Sequence, residues 1–133
     1  MTYLLDTNTC IRHLNQRSQV ITERLLAIPE AEIALCSVVK AELYFGATKS
    51  NNPEQTMLKQ PAFAERFVSL SFDDASAIVY ARIRADLERA GAPIGANDLM
   101  IASIVVANDL TLVTNNLREF SRIAGLKVES WET

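Results

Sequence analysis

The chain has 133 residues, 49% of them hydrophobic, which is enough for one compact domain and too few for two. Its net charge of −3 and pI of about 5.1 exclude broad neutralisation of nucleic-acid phosphates, so any nucleic-acid partner would be contacted only locally. No apolar run approaches the roughly 20 residues that cross a bilayer, and the N-terminus lacks the charged segment of a secretory signal. We therefore expect a single cytoplasmic domain over residues 1–133.

Short apolar runs and helical stretches alternate along the chain. Many of the apolar runs end at residues that suit the start of a helix, and Gly or Pro marks several breaks. This alternation favours an α/β fold with a parallel sheet of about five strands flanked by helices. In chain order the pattern first predicts a strand at Tyr3–Leu5, a helix after Asp6, a helix after Ser18, a strand at Glu32–Cys36 and a helix capped by Ser37. It then predicts a helix at Glu54–Phe67, a strand at Val68–Phe72 and a helix at Ala75–Ala90 that stops at Gly91. The last predicted elements are a helix at Leu99–Ala107, a strand at Leu110–Val113, a short helix through Phe120 and a strand around Leu126–Glu129.

Four isolated acids stand near points where a predicted strand ends or a helix begins: Asp6, Glu42, Asp98 and Glu119. The carboxyl ends of parallel strands open onto one crevice, so acids distant in sequence can meet there around a metal ion. Converging carboxylates repel one another, and Mg²⁺ or Mn²⁺ would neutralise them. Such an ion can lower the pKa of an attacking water and stabilise charge on a phosphoryl oxygen. The pattern therefore predicts a metal-dependent hydrolase that cleaves phosphodiesters.

Each acid also has a purely structural explanation when it is taken alone. Asp6 suits a turn or the N-cap of the first helix, and Glu42 suits a solvated helix face. Asp98 competes with the adjacent Asn97 to cap its helix, although only one of the two is needed. Glu119 follows an arginine in a polar turn, where a surface ion pair is common. The hydrolase prediction therefore depends on the acids as a set.

Other catalytic signatures are weak in this sequence. His13 is the only histidine, which gives little support to a Ser-His-Asp or Cys-His mechanism, and we expect it at the surface. Neither GxxxxGK[ST] nor GxGxxG occurs, so the usual loops for nucleotide phosphates are missing. Cys10 and Cys36 lie in apolar stretches without metal-ligand spacing, and we expect both to be free thiols in the core.

Several segments together resemble the PIN-domain ribonuclease toxins called VapC. The resemblance covers essentially the whole chain, and its motifs are specific in combination although each one is short. The segments that carry it are Leu4–Asn8 (LDTN preceded by Leu), Ser37–Ala47 (SVVKAELYFGA), Pro93–Asp98 (PIGAND), Val113–Phe120 (VTNNLREF), Arg122–Leu126 and Val128–Trp131.

The resemblance implies a Rossmann-like PIN fold and Mg²⁺-dependent endoribonuclease activity. It also implies structured RNA as the substrate, often a tRNA anticodon stem-loop, and the family members most like this chain are associated with initiator tRNA. Asp6, Glu42 and Asp98 match the acids of the family's site, with Asp6 and Asp98 as metal ligands and Glu42 binding metal or orienting the water. Many PIN domains carry a fourth acid where this chain has Asn115-Asn116, and Glu119 would substitute for it.

The resemblance further implies a VapB-type antitoxin whose tail covers the crevice and places a basic side chain among the acids. It suggests a homodimer, promoter DNA bound only through the antitoxin, and no membrane partner. Local basic residues would then contact the RNA, and the candidates by sequence position are Arg12, Lys40, Arg82 and Arg118. Thr7 and Asn8 would hold the first acid or a water.

Two alternatives to a nuclease remain open at this point. A haloacid-dehalogenase-like phosphatase also places an Asp after an apolar strand, but it needs a second Asp where this chain has Asn8. A catalytically silent PIN-like module would bind RNA or a peptide and use its acids only as caps and turns. Metal titration tests the second alternative: the silent module predicts no thermal shift with Mn²⁺, whereas a metal site adds stability through linkage.

Overall fold

Five short parallel strands form a central sheet, and the helices surround it. A computed structural model describes residues 1–132, and its sheet has the order β3-β2-β1-β4-β5 with all neighbours parallel. The strands are β1 (Tyr3–Leu5), β2 (Ile33–Cys36), β3 (Val68–Leu70), β4 (Thr111–Val113) and β5 (Lys127–Glu129). The helices are α1 (Thr7–Leu14), α2 (Gln19–Ala27), α3 (Ser37–Thr48), α4 (Pro53–Ala64), α5 (Asp74–Arg89), α6 (Ala96–Ala107) and α7 (Leu117–Phe120), with a 3₁₀ turn at Glu30–Glu32.

The middle of the sheet is the core of the molecule. In β1, Leu4 stands opposite Ala34 of β2 and Leu112 of β4, and all three are fully buried. Every residue of β2 is buried, as expected for a strand covered on both faces. The predicted parallel α/β class and its five strands are confirmed. Among residues 1–132, no helix has both the length and the apolar character to cross a membrane.

Several predicted boundaries were wrong by a few residues. The helix predicted at Glu54–Phe67 is shorter, and the third strand stops at Leu70, which pairs with Cys36, the last residue of the neighbouring strand β2. Ser37 is the first helical residue of α3 rather than its cap, since extended backbone ends at Cys36. Such shifts are normal where hydrogen bonding frays at an element's end.

The start of α6 differs from the expectation in a way that matters for the site. Gly95 is the N-cap, with extended backbone, and no side chain caps the helix. Asn97 and Asp98 both lie inside the first turn, so neither caps it. Asp98 is therefore free to point its carboxylate elsewhere.

Two other expectations about local structure are confirmed. Gly91 follows α5 with φ +65°, and the next amide, that of Ala92, bonds the Leu87 carbonyl at 3.0 Å, which is the pattern of a Schellman C-cap. Cys10 and Cys36 are buried free thiols.

The strand order creates a natural binding site. The chain runs from β1 to β2 on one side and later returns to β4 on the other, so the connections diverge at β1. Ligands in open α/β sheets bind at the carboxyl ends of the strands beside such a switch point. Asp6 follows β1 there, and Thr114, Asn115 and Asn116 follow β4.

Candidate active site

A crevice of about 520 Å³ opens at the carboxyl edge of the sheet. It collects side chains from four separate parts of the chain. Three of the four predicted acids line it, and the fourth stands behind one of them. The lining residues are Asp6, Thr7, Asn8, Ile11, Glu42, Asp98, Asn115, Asn116 and Phe120.

Asp6 is the most deeply placed acid, with only 6% of its surface exposed. It caps α1 by accepting a hydrogen bond from the Thr9 N–H at 2.8 Å. Burial raises the pKa of Asp6, while hydrogen bonds from the Thr114 hydroxyl and from Thr9 oppose that rise. The capping explanation and the site explanation are thus both satisfied, because one carboxylate oxygen caps the helix and the crevice still borders the side chain.

Glu42 reaches the crevice from α3 and is half-buried. The Thr7 hydroxyl donates a hydrogen bond to Glu42 Oε1 at 2.5 Å. The sequence suggested that Thr7 would support the first acid, and instead it orients the second. Thr9 and Thr114, which sequence reasoning missed, support Asp6.

Asp98 has the strongest electrostatic perturbation in the site. Burial, followed by the charge of Glu119 and a hydrogen bond with it, raises the pKa of Asp98 from 3.8 to about 7. The charges of Glu42 and Asp6 add to the rise. A carboxyl group held among other carboxylates in this way favours either a proton or a cation beside it.

Glu119 lies behind Asp98 instead of lining the crevice itself. Its Oε1 accepts a hydrogen bond from the Gly95 N–H at 3.3 Å, and its Oε2 accepts one from Asn116 Nδ2 at 2.6 Å. Within residues 1–132 it forms no ion pair with Arg118. Glu119 therefore joins the start of α6 to the loop after β4, and its contact with the crevice is through Asp98 and Asn116.

The donor set suits a hard cation. Side chains of Asp6, Glu42, Asp98 and three asparagines line the crevice, without a Cys or His among its lining residues. Over the described residues, no three His, Cys, Asp or Glu side chains are close enough to hold one ion together. Mg²⁺ is usually held by one or two carboxylates and keeps several of its waters. Two acids of this crevice therefore fit Mg²⁺ better than they fit an ion that needs a full protein cage.

Comparison with known proteins identifies the family. The PIN domain family matches residues 3–126. The chain is 40% identical over 133 residues to ribonuclease VapC2 of Rickettsia felis, with 99% of both chains covered. It is also 40% identical over 129 residues to the tRNA(fMet)-specific endonuclease VapC of Salmonella typhimurium, with 97% of both chains covered.

The chain belongs to the VapC family of PIN-domain proteins. Solved structures of VapC-family complexes have the same fold. The DNA-bound VapBC complex from Salmonella typhimurium contains a chain that superposes with a TM-score of 0.93 at 39% identity over 98% of both chains. VapBC2 from Rickettsia felis, bound to a DNA fragment from its promoter, gives 0.89 at 40% identity. The predicted resemblance and the predicted PIN fold are confirmed.

The C-terminal tail of this VapC-family chain adds a contact that sequence reasoning missed. Trp131 is buried with its ring edge-on to Tyr3, at 5.5 Å between centroids, which anchors the tail. Glu132 then accepts hydrogen bonds from Arg12 Nη2 at 3.1 Å and from Asn115 Nδ2 at 2.6 Å. One carboxylate thus ties α1 to the loop after β4 beside the crevice.

The basic residues expected near RNA differ in their surroundings. Arg12 is held by Glu132, and Arg82 lies 3.9 Å from the acid one helical turn on. Within residues 1–132, Lys40 and Arg118 form no ion pair. The RNA contacts of all four stay predictions.

His13 lies outside the acid crevice. It borders a separate groove of about 680 Å³ between α1–α2 and α4. Its Nδ1 is 2.8 Å from Thr22 Oγ1, and its ring centroid is 5.3 Å from that of Phe63. The expectation of a surface histidine was wrong in part, because packing half-buries the ring. His13 does not line the acid crevice, so it is not placed to act as a general base there.

Proposed function

We propose that this chain is the endoribonuclease toxin of a VapBC-type toxin–antitoxin pair. Its substrate would be a structured RNA, with the anticodon stem-loop of initiator tRNA first among the choices, and cleavage there would stop translation. The observation that carries the proposal is the convergence of Asp6, Glu42 and Asp98 on one crevice. The relative from Salmonella typhimurium, named a tRNA(fMet)-specific endonuclease, supports the choice of RNA.

We further propose that Asp6 and Asp98 hold Mg²⁺, for which Mn²⁺ can substitute. When bound, the ion would supply positive charge for the phosphoryl oxygens and lower the pKa of a water. Asp6 suits this role because burial and hydrogen bonds from Thr9 and Thr114 fix its position. Asp98 suits it because its neighbouring carboxylates favour a cation.

Glu42 has the geometry to orient the attacking water. Its Oε1 is occupied by the Thr7 hydroxyl, which leaves Oε2 free to accept a hydrogen bond from water in the crevice. In the proposed reaction, the water oxygen attacks phosphorus in line with the leaving 3′ oxygen. The bond from phosphorus to that oxygen breaks, and the products carry a 5′-phosphate and a 3′-hydroxyl.

The partner in this proposal is a VapB-type antitoxin. Solved structures of relatives contain both proteins, and two of them are bound to DNA. A basic side chain from the antitoxin would neutralise the acids and so compete with the metal ion. Because this chain has a net charge of −3, we expect the antitoxin to make most of the contacts with DNA. We also propose a homodimer, as the family resemblance suggests.

Cleavage of a purified tRNA pool tests the substrate. The pool is incubated with the protein and Mg²⁺, and product ends are mapped by sequencing. The proposal expects cuts confined to one anticodon loop, 5′-phosphate ends, and protection when the cognate antitoxin is added first. Uniform degradation of all tRNAs would refute the specificity. Binding without any cleavage would favour the silent PIN-like module.

A further inference from the structure

A second, smaller pocket lies beside the acid crevice, between α5 and the turn that leads into α6. Its volume is about 170 Å³. Apolar side chains form its walls, and a tyrosine, an arginine and a glutamate stand at its polar part. The residues that matter for its chemistry are Tyr80, Arg84, Glu88, Pro93, Ile94 and Leu99.

Arg84 is held in one orientation by its neighbours on α5. Its Nη1 donates a hydrogen bond to the Tyr80 hydroxyl at 3.0 Å, and its Nε donates one to Glu88 Oε1 at 3.0 Å. Nη2 has no hydrogen-bond partner within residues 1–132. The side chain is 57% exposed, so this third nitrogen is available to a ligand.

The opposite wall of the pocket is tied down from outside. Arg122 Nη1 donates to the Pro93 carbonyl at 3.1 Å, and the Gly95 amide donates to Glu119 at 3.3 Å. Ile94 between them packs against the core. The pocket is therefore bounded by fixed elements on both sides, which lowers the entropic cost of binding a ligand.

The pocket is a neighbour of the acids along the start of α6. It shares Ala96 with a shallow recess that is also lined by Gly95, Asn97, Asp98 and Glu42. Asp98 and Glu42 in turn line the acid crevice. An extended polymer bound along the start of α6 would thus contact both the acids and the pocket.

We propose that this pocket binds one unpaired nucleobase of the RNA, adjacent to the phosphodiester that is cut. The inference rests on the proposed endoribonuclease function and adds a specificity site to it. Apolar walls suit the faces of a base, while Arg84 offers a donor and Glu88 an acceptor to its edge. A free phosphate fits less well, because Glu88 already neutralises Arg84 and the walls are apolar.

The test is a cycle of changes in protein and RNA. Single-turnover cleavage is measured over a range of protein concentrations for wild type, Arg84→Ala and Arg89→Ala on the mapped RNA, and on RNAs with an abasic nucleotide at each position flanking the cut. Arg89 is the matched control, since it is an exposed arginine on α5 that also pairs with an acid of the same helix but does not line the pocket. Tyr80→Phe, which keeps the ring and removes the hydroxyl that orients Arg84, is a second variant.

We expect Arg84→Ala to raise the protein concentration that gives half-maximal cleavage by about five- to thirty-fold, with a smaller effect of Tyr80→Phe, while Arg89→Ala stays within about twofold of wild type. One abasic position should cost wild type at least a similar factor and cost Arg84→Ala less, because each change removes the contact between Arg84 and the same base. Losses that multiply independently at every position would overturn the inference, as would an Arg84→Ala variant equal to Arg89→Ala. Both results leave RNA cleavage by wild type intact. An inactive wild type would instead refute the proposed function, and the inference with it.

Discussion

Replacing Asp98 by asparagine should stabilise the protein when divalent cations are absent. The folded-state pKa of Asp98 is raised to about 7, so the folded chain binds more protons than the unfolded chain between pH 3.8 and about 7. Stability therefore falls as the pH rises through this window and levels off above it. Asparagine carries no charge at any of these pH values, so the variant does not lose stability in this way as the pH rises.

The size of the effect follows from the same perturbation. The rise from 3.8 to about 7 corresponds to at most about 4 kcal/mol of unfolding free energy. Asp98 is only half-buried, so solvent screening reduces this to roughly 1–2 kcal/mol. The variant should gain about that much over wild type at about pH 8, and little at about pH 4.

Denaturant unfolding in EDTA at both pH values measures the difference. Glu65→Gln is the control, because it removes one negative charge from an exposed residue outside the crevice. Its stability relative to wild type should be the same at both pH values. An Asp98→Asn protein that is less stable than wild type at the higher pH would refute the reasoning, as would a difference that does not grow with pH.

Substitutions at four further positions test the fold and the surroundings of the site. Gly91→Ala should lower the unfolding free energy by about 1 kcal/mol, because the backbone φ at this position is +65°. Gly46→Ala should raise the unfolding free energy by about 0.5–1 kcal/mol, because Gly46 lies inside α3 with open space around it. Thermal unfolding of the two variants distinguishes the opposite signs. Thr9→Val should cost about 1–2 kcal/mol in denaturant unfolding, because its hydroxyl bonds a buried carbonyl of β4 at 3.3 Å, and Thr9→Ser should restore most of the loss. Glu132→Gln should slow RNA cleavage by about three- to ten-fold with an unchanged circular dichroism spectrum, since it weakens the bonds that hold Arg12 at the edge of the crevice. An unchanged cleavage rate would show that the tail serves stability alone.

The sequence predicted the parts of this protein that local patterns control. The apolar runs that became strands are buried on the central sheet, and Gly91 stops α5 because only a residue tolerant of positive φ fits there. The acids Asp6 and Glu42 were found because strand ends of a parallel sheet meet at one edge. These features depend on a few neighbouring residues.

Features that depend on distant contacts were missed. Arg12 and Glu132 are 120 residues apart in the chain, and no periodicity relates them. Glu119 was predicted to line the site, but it lies behind Asp98. The sequence could not show this, because it depends on where α7 lies relative to the start of α6. The start of α6 at Ala96 was also hidden, because Asn97 and Asp98 are better capping residues by type than Gly95.

The dependence of RNA cleavage on a divalent cation and on two acids tests the central claim most directly. Cleavage of the mapped RNA is followed while Mg²⁺ is titrated into EDTA-treated wild type, Asp6→Asn, Asp98→Asn and the control Glu65→Gln. The account predicts saturable activation of wild type and of the control, with both aspartate variants slower by about 100-fold or more at saturating Mg²⁺. Cleavage that persists in EDTA, or aspartate variants that cut as fast as the control, would contradict it.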